Sequence, residues 1–205
     1  MLSIKYNFLF VHIPKTAGNS VQSVLQQYSE DEIIVNSYQD GINRFDLQTP
    51  KYNLSKHSRL IVYKRRLEKE LYRKLFKFTI VRNPWDRMIS YYFSPHRGNP
   101  EWDRDRFIEF VKESDSVKSF LSTGFFNNIG NRPFKNLDFI LRFENLAKDF
   151  ELLCEKLNIE ETIIPHVNIS KHEHYSFYYD EELVNLVASR FRQEIDYFGY
   201  SFAEE

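Results

Sequence analysis

The chain of 205 residues is long enough for one domain with a substantial core and short for two. Its 42% hydrophobic and 17% aromatic content excludes a disordered segment, and 28 basic against 29 acidic residues exclude a global pull toward nucleic acid or membrane. Any anion site must therefore be local, and the single cysteine, Cys154, rules out an internal disulfide and fits a reducing compartment.

Residues 7–13 read as a short buried strand. Its apolar run, Phe8 to Val11, is too short for a signal peptide or a membrane span, so a soluble, cytoplasmic protein is expected. The stretch that follows, "PKTAGNS" at 14–20, stops the strand with a proline and leads into a helix predicted to start near Asn19 or Ser20. A loop between a strand and a helix N-terminus exposes backbone N–H groups and the positive end of the helix dipole. Gly18 lets an oxygen approach closely, Thr16, Asn19 and Ser20 can add side-chain donors, and Lys15 adds a full charge. The order differs from the G-x-x-x-x-G-K-[ST] nucleotide loop, because the lysine comes three residues before the glycine. The same residues also fit a tight turn with a solvated lysine and a Ser/Asn cap.

Farther on, Leu60, Leu67, Leu71 and Leu75 stand at near-helical spacing within 59–75, although Leu60–Tyr63 also reads as a strand. Phe78–Val81 is a second apolar strand, ended by Arg82-Asn83-Pro84. Asn83 is a good N-cap, and Pro84 suits the first helical position. On that helix Trp85, Met88, Ile89 and Tyr92 fall on one side, and Asn83, Asp86, Arg87 and Ser90 on the other. The Ser90 hydroxyl leans back toward the strand end, where it and the Arg82 fork could hold a phosphate. Alternatively, Arg82 pairs with Asp86 and Ser90 is merely exposed.

Residues 105–113 predict a further helix, and Asp138–Arg142 a third buried strand. A helix carrying Phe143, Leu146, Phe150, Leu153 and Leu157 follows, and a last one from about Asp180 places Leu183, Val187, Phe191 and Ile195 on one stripe. Short apolar strands interleaved with helices predict an α/β fold of three layers, α/β/α, around a mainly parallel sheet, in one domain over 1–205. Ligands bind such sheets beyond the carboxyl ends of the strands, where both Pro14–Ser20 and Arg82–Ser90 begin.

Taken together, "FLFVHIPKTAGNS" and "KFTIVRNPWDRMISYYF" resemble the paired signatures of PAPS-dependent sulfotransferases, especially the carbohydrate branch related to heparan sulfate 2-O- and chondroitin sulfotransferases. The resemblance continues in "DFILRFENLAKDFELLCEKLNI", "PHVNIS" and "EIDYFGYSF", and is weakest over 28–55 and 94–135, where acceptor-specific loops are expected. It implies a P-loop-like phosphosulfate-binding loop in which Lys15, Thr16, Ala17, Gly18, Asn19 and Ser20 wrap the 5′ end of the donor. Lys15 would meet the bridging oxygen, and Arg82 and Ser90 the 3′-phosphate. Asn19 departs from the family pattern, which usually has threonine or serine there. The implied donor is PAPS (3′-phosphoadenosine 5′-phosphosulfate), the product PAP, and the acceptor a carbohydrate hydroxyl. No metal, nucleic acid or membrane span enters the scheme.

The resemblance also implies that His57, in "LSKHSRL", is the general base, a role imidazole suits near neutral pH. The same histidine fits a place before the 59–75 helix, and His12 is expected to be structural. His166, His172 and His174 match no zinc spacing. In the family the segment with Asn168 and Ser170 closes over the nucleotide. Tyr175, Phe177, Tyr178 and Tyr179 could stack on a sugar or adenine, or simply form core. Arg97, Arg104, Arg106 and Lys112 read as a solvated surface. The rival readings are a P-loop nucleotide kinase, which needs its lysine after the second glycine, and a non-catalytic nucleotide-binding protein of the same fold.

Overall fold

A computed structural model describes residues 1–37, 39–42, 44–94, 97–98, 100–124, 129–160, 163–165 and 172–202. In chain order its elements are β1 (Leu2–Ser3), β2 (Phe8–Val11), α1 (Gly18–Leu25), β3 (Glu32–Ile34), β4 (Asp46–Thr49), β5 (Leu54–Ser55), α2 (Leu60–Arg66) and α3 (Lys69–Lys74). They continue with β6 (Phe76–Val81), α4 (Pro84–Tyr92), α5 (Arg104–Glu113), α6 (Val117–Leu121), β7 (Phe139–Arg142), α7 (Leu146–Leu157), α8 (Glu181–Arg190) and α9 (Arg192–Phe198).

The central sheet runs β1-β2-β6-β7, with β2, β6 and β7 parallel and β1 an antiparallel edge. Alternation along these strands sends side chains to two faces. Phe8, Phe10, Phe78, Ile80 and Leu141 pack with Val21, Val24 and Leu25 of α1 and Phe150, Leu153 and Leu157 of α7. Leu9, Val11 and Val81 pack on the other side with Leu60 and Tyr63 of α2, Val117, Phe120 and Leu121 of α6 and Phe198 of α9. Helices therefore cover both faces, as the buried strands require. A third cluster joins the predicted stripe of α4, Trp85, Met88, Ile89 and Tyr92, to α5 and α8. Among the described residues no helix is long and apolar enough to cross a membrane.

Three features differ from expectation. A second sheet, the antiparallel β3-β4-β5, occupies residues where the sequence shows no strand signal. The 59–75 segment is two helices, not one, because Leu67 and Glu68 are extended between α2 and α3, and Leu60–Tyr63 is helical. Arg87, expected on the polar side of α4, is 1% exposed. It pairs at 3.2 Å with Glu194 of α9, itself 2% exposed, and donates to the Asp115 carbonyl. The start of α6 and the α9 helix cover that side of α4, and Glu194 also accepts from the Val117 N–H at 2.6 Å. Burial pushes the Glu194 carboxyl pKa up, while the Arg87 charge opposes that rise.

Removing one partner of a buried ion pair leaves an uncompensated charge. Glu194→Ala is expected to cost about 3–5 kcal/mol in denaturant unfolding. The double variant R87M/E194L should recover a large part of that loss, since the stranded charge is then gone.

Candidate functional site

The site is built where β2, β6 and β7 end side by side. Val11 stands opposite Thr79, whose hydroxyl donates to the Val11 carbonyl at 2.6 Å, and Val81 stands opposite Arg142. Beyond β2 the chain turns sharply. Thr16 is fully buried, and its hydroxyl donates to the Ile13 carbonyl at 2.9 Å. Lys15 and Ala17 take left-handed backbone conformations, with φ of 68° and 65°. For residues with a Cβ this costs about 1–2 kcal/mol each. The twisted turn sets the first turn of α1 at the cavity wall, and no side chain from Ala17 caps it. First-turn N–H groups have no intrahelical acceptor, which suits an anion there.

Gly18 is required by a close approach. A Cβ at this position would lie 2.2 Å from atoms of the His12 imidazole. That ring is buried, stacked at 5.7 Å on Phe10 and 4.6 Å from the His57 ring. It fills space between the loop and His57, in keeping with a structural role.

A cavity of about 1030 Å³ opens over these elements. Lys15, Ala17, Gly18, Asn19, Ser20, His57, Arg82 and Ser90 all line it. Thr16 does not: with its hydroxyl on Ile13 it shapes the turn from inside. Arg82 pairs with Asp86, one of its two sequence readings, and also lines the cavity. Its Nε and Nη2 donate to the two Asp86 carboxylate oxygens at 2.6 and 2.8 Å. Its Nη1 donates to the Lys15 carbonyl at 3.1 Å, and the guanidinium lies 3.9 Å above the Phe143 ring. Ser90 is buried against the cavity wall, which removes the reading of it as merely exposed.

The charges in this cavity are crowded. Desolvation, with the neighbouring Arg82 charge adding to it, lowers the Lys15 ammonium to a pKa of about 8. Lys56 is buried, donates to the Phe45 carbonyl and sits 4.6 Å from the centre of the Phe45 ring. Desolvation takes it to about 8 as well, against the pull of Asp46. His57 is open to the cavity on one side and crowded by protein on the others. That crowding lowers its pKa to about 4, the bond to His12 opposing and the Lys56 charge reinforcing the effect. A pKa lowered in this direction leaves the ring neutral at neutral pH. Its Nδ1 lies 3.2 Å from the His12 carbonyl, an obligate acceptor. The proton therefore sits on Nδ1, and Nε2 keeps the lone pair.

Sequence reasoning did not single out Lys56, Phe143 or the Arg44–Asp46 segment, all of which line the cavity. Phe143 directly follows β7, so the rule that ligands sit beyond strand ends would have found it. His172 and His174 bond through Nδ1 to the Glu173 carbonyl and the Ser176 hydroxyl, and His166, Asn168 and Ser170 lie outside the described residues. Among the described residues no three His, Cys, Asp or Glu side chains gather as a metal site. Tyr175 belongs to the third core cluster and also lines the cavity, Tyr178 and Tyr179 pack against that cluster, and Phe177 is exposed. Arg104 pairs with Asp180 and Glu182, Arg106 with Asp103 and Lys112 with Glu109, while Arg97 lies over Phe110; none of the four lines the cavity.

Gly18→Ala forces the buried His12 ring out of place, and with it the support of His57. Overpacking of this kind costs about 1–3 kcal/mol, a loss to be read from the melting temperature. A crystal structure of the variant should show the His12 ring displaced relative to His57.

A model of the Sulfotransferase family matches residues 1–201. No curated protein and no solved structure matches the chain.

Proposed function

The chain belongs to the sulfotransferase family, and from that premise we propose that it moves a sulfuryl group from PAPS to the hydroxyl of a carbohydrate acceptor, leaving PAP. The observation that carries this reading is the meeting in one cavity of two cation-bearing strand-to-helix turns and an imidazole. Lys15 with the start of α1 is the first element, Arg82 with Ser90 the second, and His57 the imidazole. Two desolvated cations beside a helix N-terminus suit a ligand with several anionic groups. The Lys15–Ser20 turn acts as the P-loop-like 5′-phosphosulfate loop, Arg82 and Ser90 hold the 3′-phosphate, and residues 1–205 work as one domain.

The chemistry is an in-line displacement. His57 takes the hydroxyl proton at Nε2 as the acceptor oxygen bonds to sulfur. Lys15 and the first-turn N–H groups of α1 offset the charge that gathers on the phosphate as the bond from sulfur to the bridging oxygen breaks. Placement and electrostatic stabilisation supply most of the rate, as in phosphoryl transfer. Asn19, at the cavity wall, keeps a backbone N–H and a side-chain donor for the same oxygens.

Calorimetry should find PAP (3′,5′-ADP) bound in preference to ATP, and labelled PAPS should yield a sulfated carbohydrate in an acceptor screen. Preference for ATP would turn the reading to a kinase. Tight PAP binding without transfer to any acceptor would turn it to a non-catalytic binding protein. Lys15→Ala is expected to lower kcat about 10²- to 10³-fold, and His57→Ala about 10²- to 10⁴-fold. Full turnover in His57→Ala would remove the base assignment and leave the donor site standing.

The pH profile has a stated sign. In the free enzyme, kcat/KM for the donor should fall on the acid side, where His57 gains a proton below the usual imidazole range, and as pH rises through about 8, where Lys15 loses one. Lys56 holds the His57 pKa down, so Lys56→Met should move the acid limb upward. An acid limb that stays in place would exclude that coupling.

A further inference from the structure

Arg82 does something besides facing the cavity. Its Nη1 holds the carbonyl of Lys15, a residue whose backbone is in the left-handed region, as is that of Ala17 two residues on. Asp86 in turn holds Nε and Nη2 at 2.6 and 2.8 Å, and the Phe143 ring backs the guanidinium plane at 3.9 Å. Three of the five guanidinium N–H bonds are thereby directed, and Arg82 is aimed by two different elements, α4 and the end of β7. The conformation that presents Lys15 is an unfavourable one for a residue with a Cβ, so it persists only where neighbours hold it. The Arg82 bond is a side-chain contact to the carbonyl of the strained residue itself, and the Thr16 hydroxyl secures the turn from its inner side.

We propose that Arg82, aimed by Asp86, is the latch that keeps the Lys15 turn in its anion-binding shape, so that the two anion sites of the cavity are energetically coupled. Arg82 is thus a positioning residue for the 5′ half of the site, in addition to any contact with a 3′-phosphate. The proposal rests on the reading of this cavity as the donor site. Asp86 serves the same end: it places a negative charge at an anion site, which is unfavourable for ligand binding by Coulomb's law alone, yet it fixes the direction of the guanidinium. Coupling of this kind is reciprocal, so an anion on Arg82 favours one on the turn and the reverse.

The decisive ligand is 5′-AMP, which lacks the 3′-phosphate and so cannot report a 3′ contact. Calorimetric titration of 5′-AMP and of 3′,5′-ADP is carried out on the wild type, Arg82→Lys and Asp86→Asn. Arg82→Lys keeps the charge but cannot hold Asp86 with a fork and the Lys15 carbonyl at once. Asp86→Asn removes a negative charge, so electrostatics alone makes anions bind more tightly, whereas loss of the latch makes them bind more weakly. The expected result is 5′-AMP affinity about tenfold weaker in both variants, in the range usual for coupled sites, with cooperative unfolding retained. Unchanged affinity in Arg82→Lys, or tighter binding in Asp86→Asn, overturns the latch. If one variant fails to fold, the other decides; if both do, the ion pair belongs to the scaffold and the latch is overturned. A wild type that does not bind 3′,5′-ADP sinks the donor reading itself. A wild type that binds both nucleotides, with variants that bind 5′-AMP equally well, sinks the latch alone.

Discussion

The site depends on the parallel register of β2 against β6. Only four residue pairs make that contact, from Phe8 opposite Phe76 to Val11 opposite Thr79, and the Thr79 hydroxyl fastens the last of them. With β2 and β6 ending side by side, the turn after β2 brings the Lys15 carbonyl within reach of the Arg82 guanidinium that follows β6. A slip of one residue would exchange the two faces of β2. Phe8 and Phe10 would leave the α1–α7 side, and Arg82 would lose its partner on the loop. The buried phenylalanines thus fix a functional distance as well as a core.

The second constraint is electrostatic. The chain carries a net charge of only −1, yet Lys15, Lys56 and Arg82 share one cavity wall. Lys15 and Lys56 both have pKa values drawn down to about 8 by desolvation. Desolvated cations are unfavourable for the fold by itself, and the left-handed Lys15 and Ala17 add backbone strain. Clusters on both faces of the sheet supply the stability that permits this. An anionic ligand relieves the desolvated cations at the point where it binds, so the same unfavourable energy becomes affinity.

Where the physics is local, the sequence carried it openly. Asn83 caps α4 by accepting from the Trp85 N–H at 3.1 Å, Pro84 opens the helix, and the apolar stripe lies where a 3.6-residue period puts it. β2, β6 and β7 were readable as apolar runs, and the two loops were readable as strand-to-helix turns. What escaped was decided by distant neighbours. β3, β4 and β5 span two to four residues each, and β3 is exposed along its whole length, so they carry no pattern to read. Arg87 looks like a surface residue until Glu194, more than a hundred positions away, arrives beside it. Nothing around Lys56 marks it as buried under Phe45. Thr16 looks like one more donor for a ligand, and only the turn of the backbone shows its hydroxyl already engaged with Ile13.

His57 and the loop are parts of one packed unit. His12 touches Gly18 on one edge, stands 4.6 Å from the His57 ring on another, and offers its carbonyl to His57 Nδ1. The carbonyl selects the tautomer, and the imidazole sets the spacing between His57 and the start of α1. A larger residue at 18 would push on His57 through His12, which ties the glycine to the placement of that imidazole as well as to the shape of the loop. In the reaction proposed above, the acceptor oxygen must lie between His57 and a sulfur held by the loop. A rigid spacer between those two groups fixes that gap more firmly than either could alone, since a buried aromatic ring stacked on Phe10 has little room to yield.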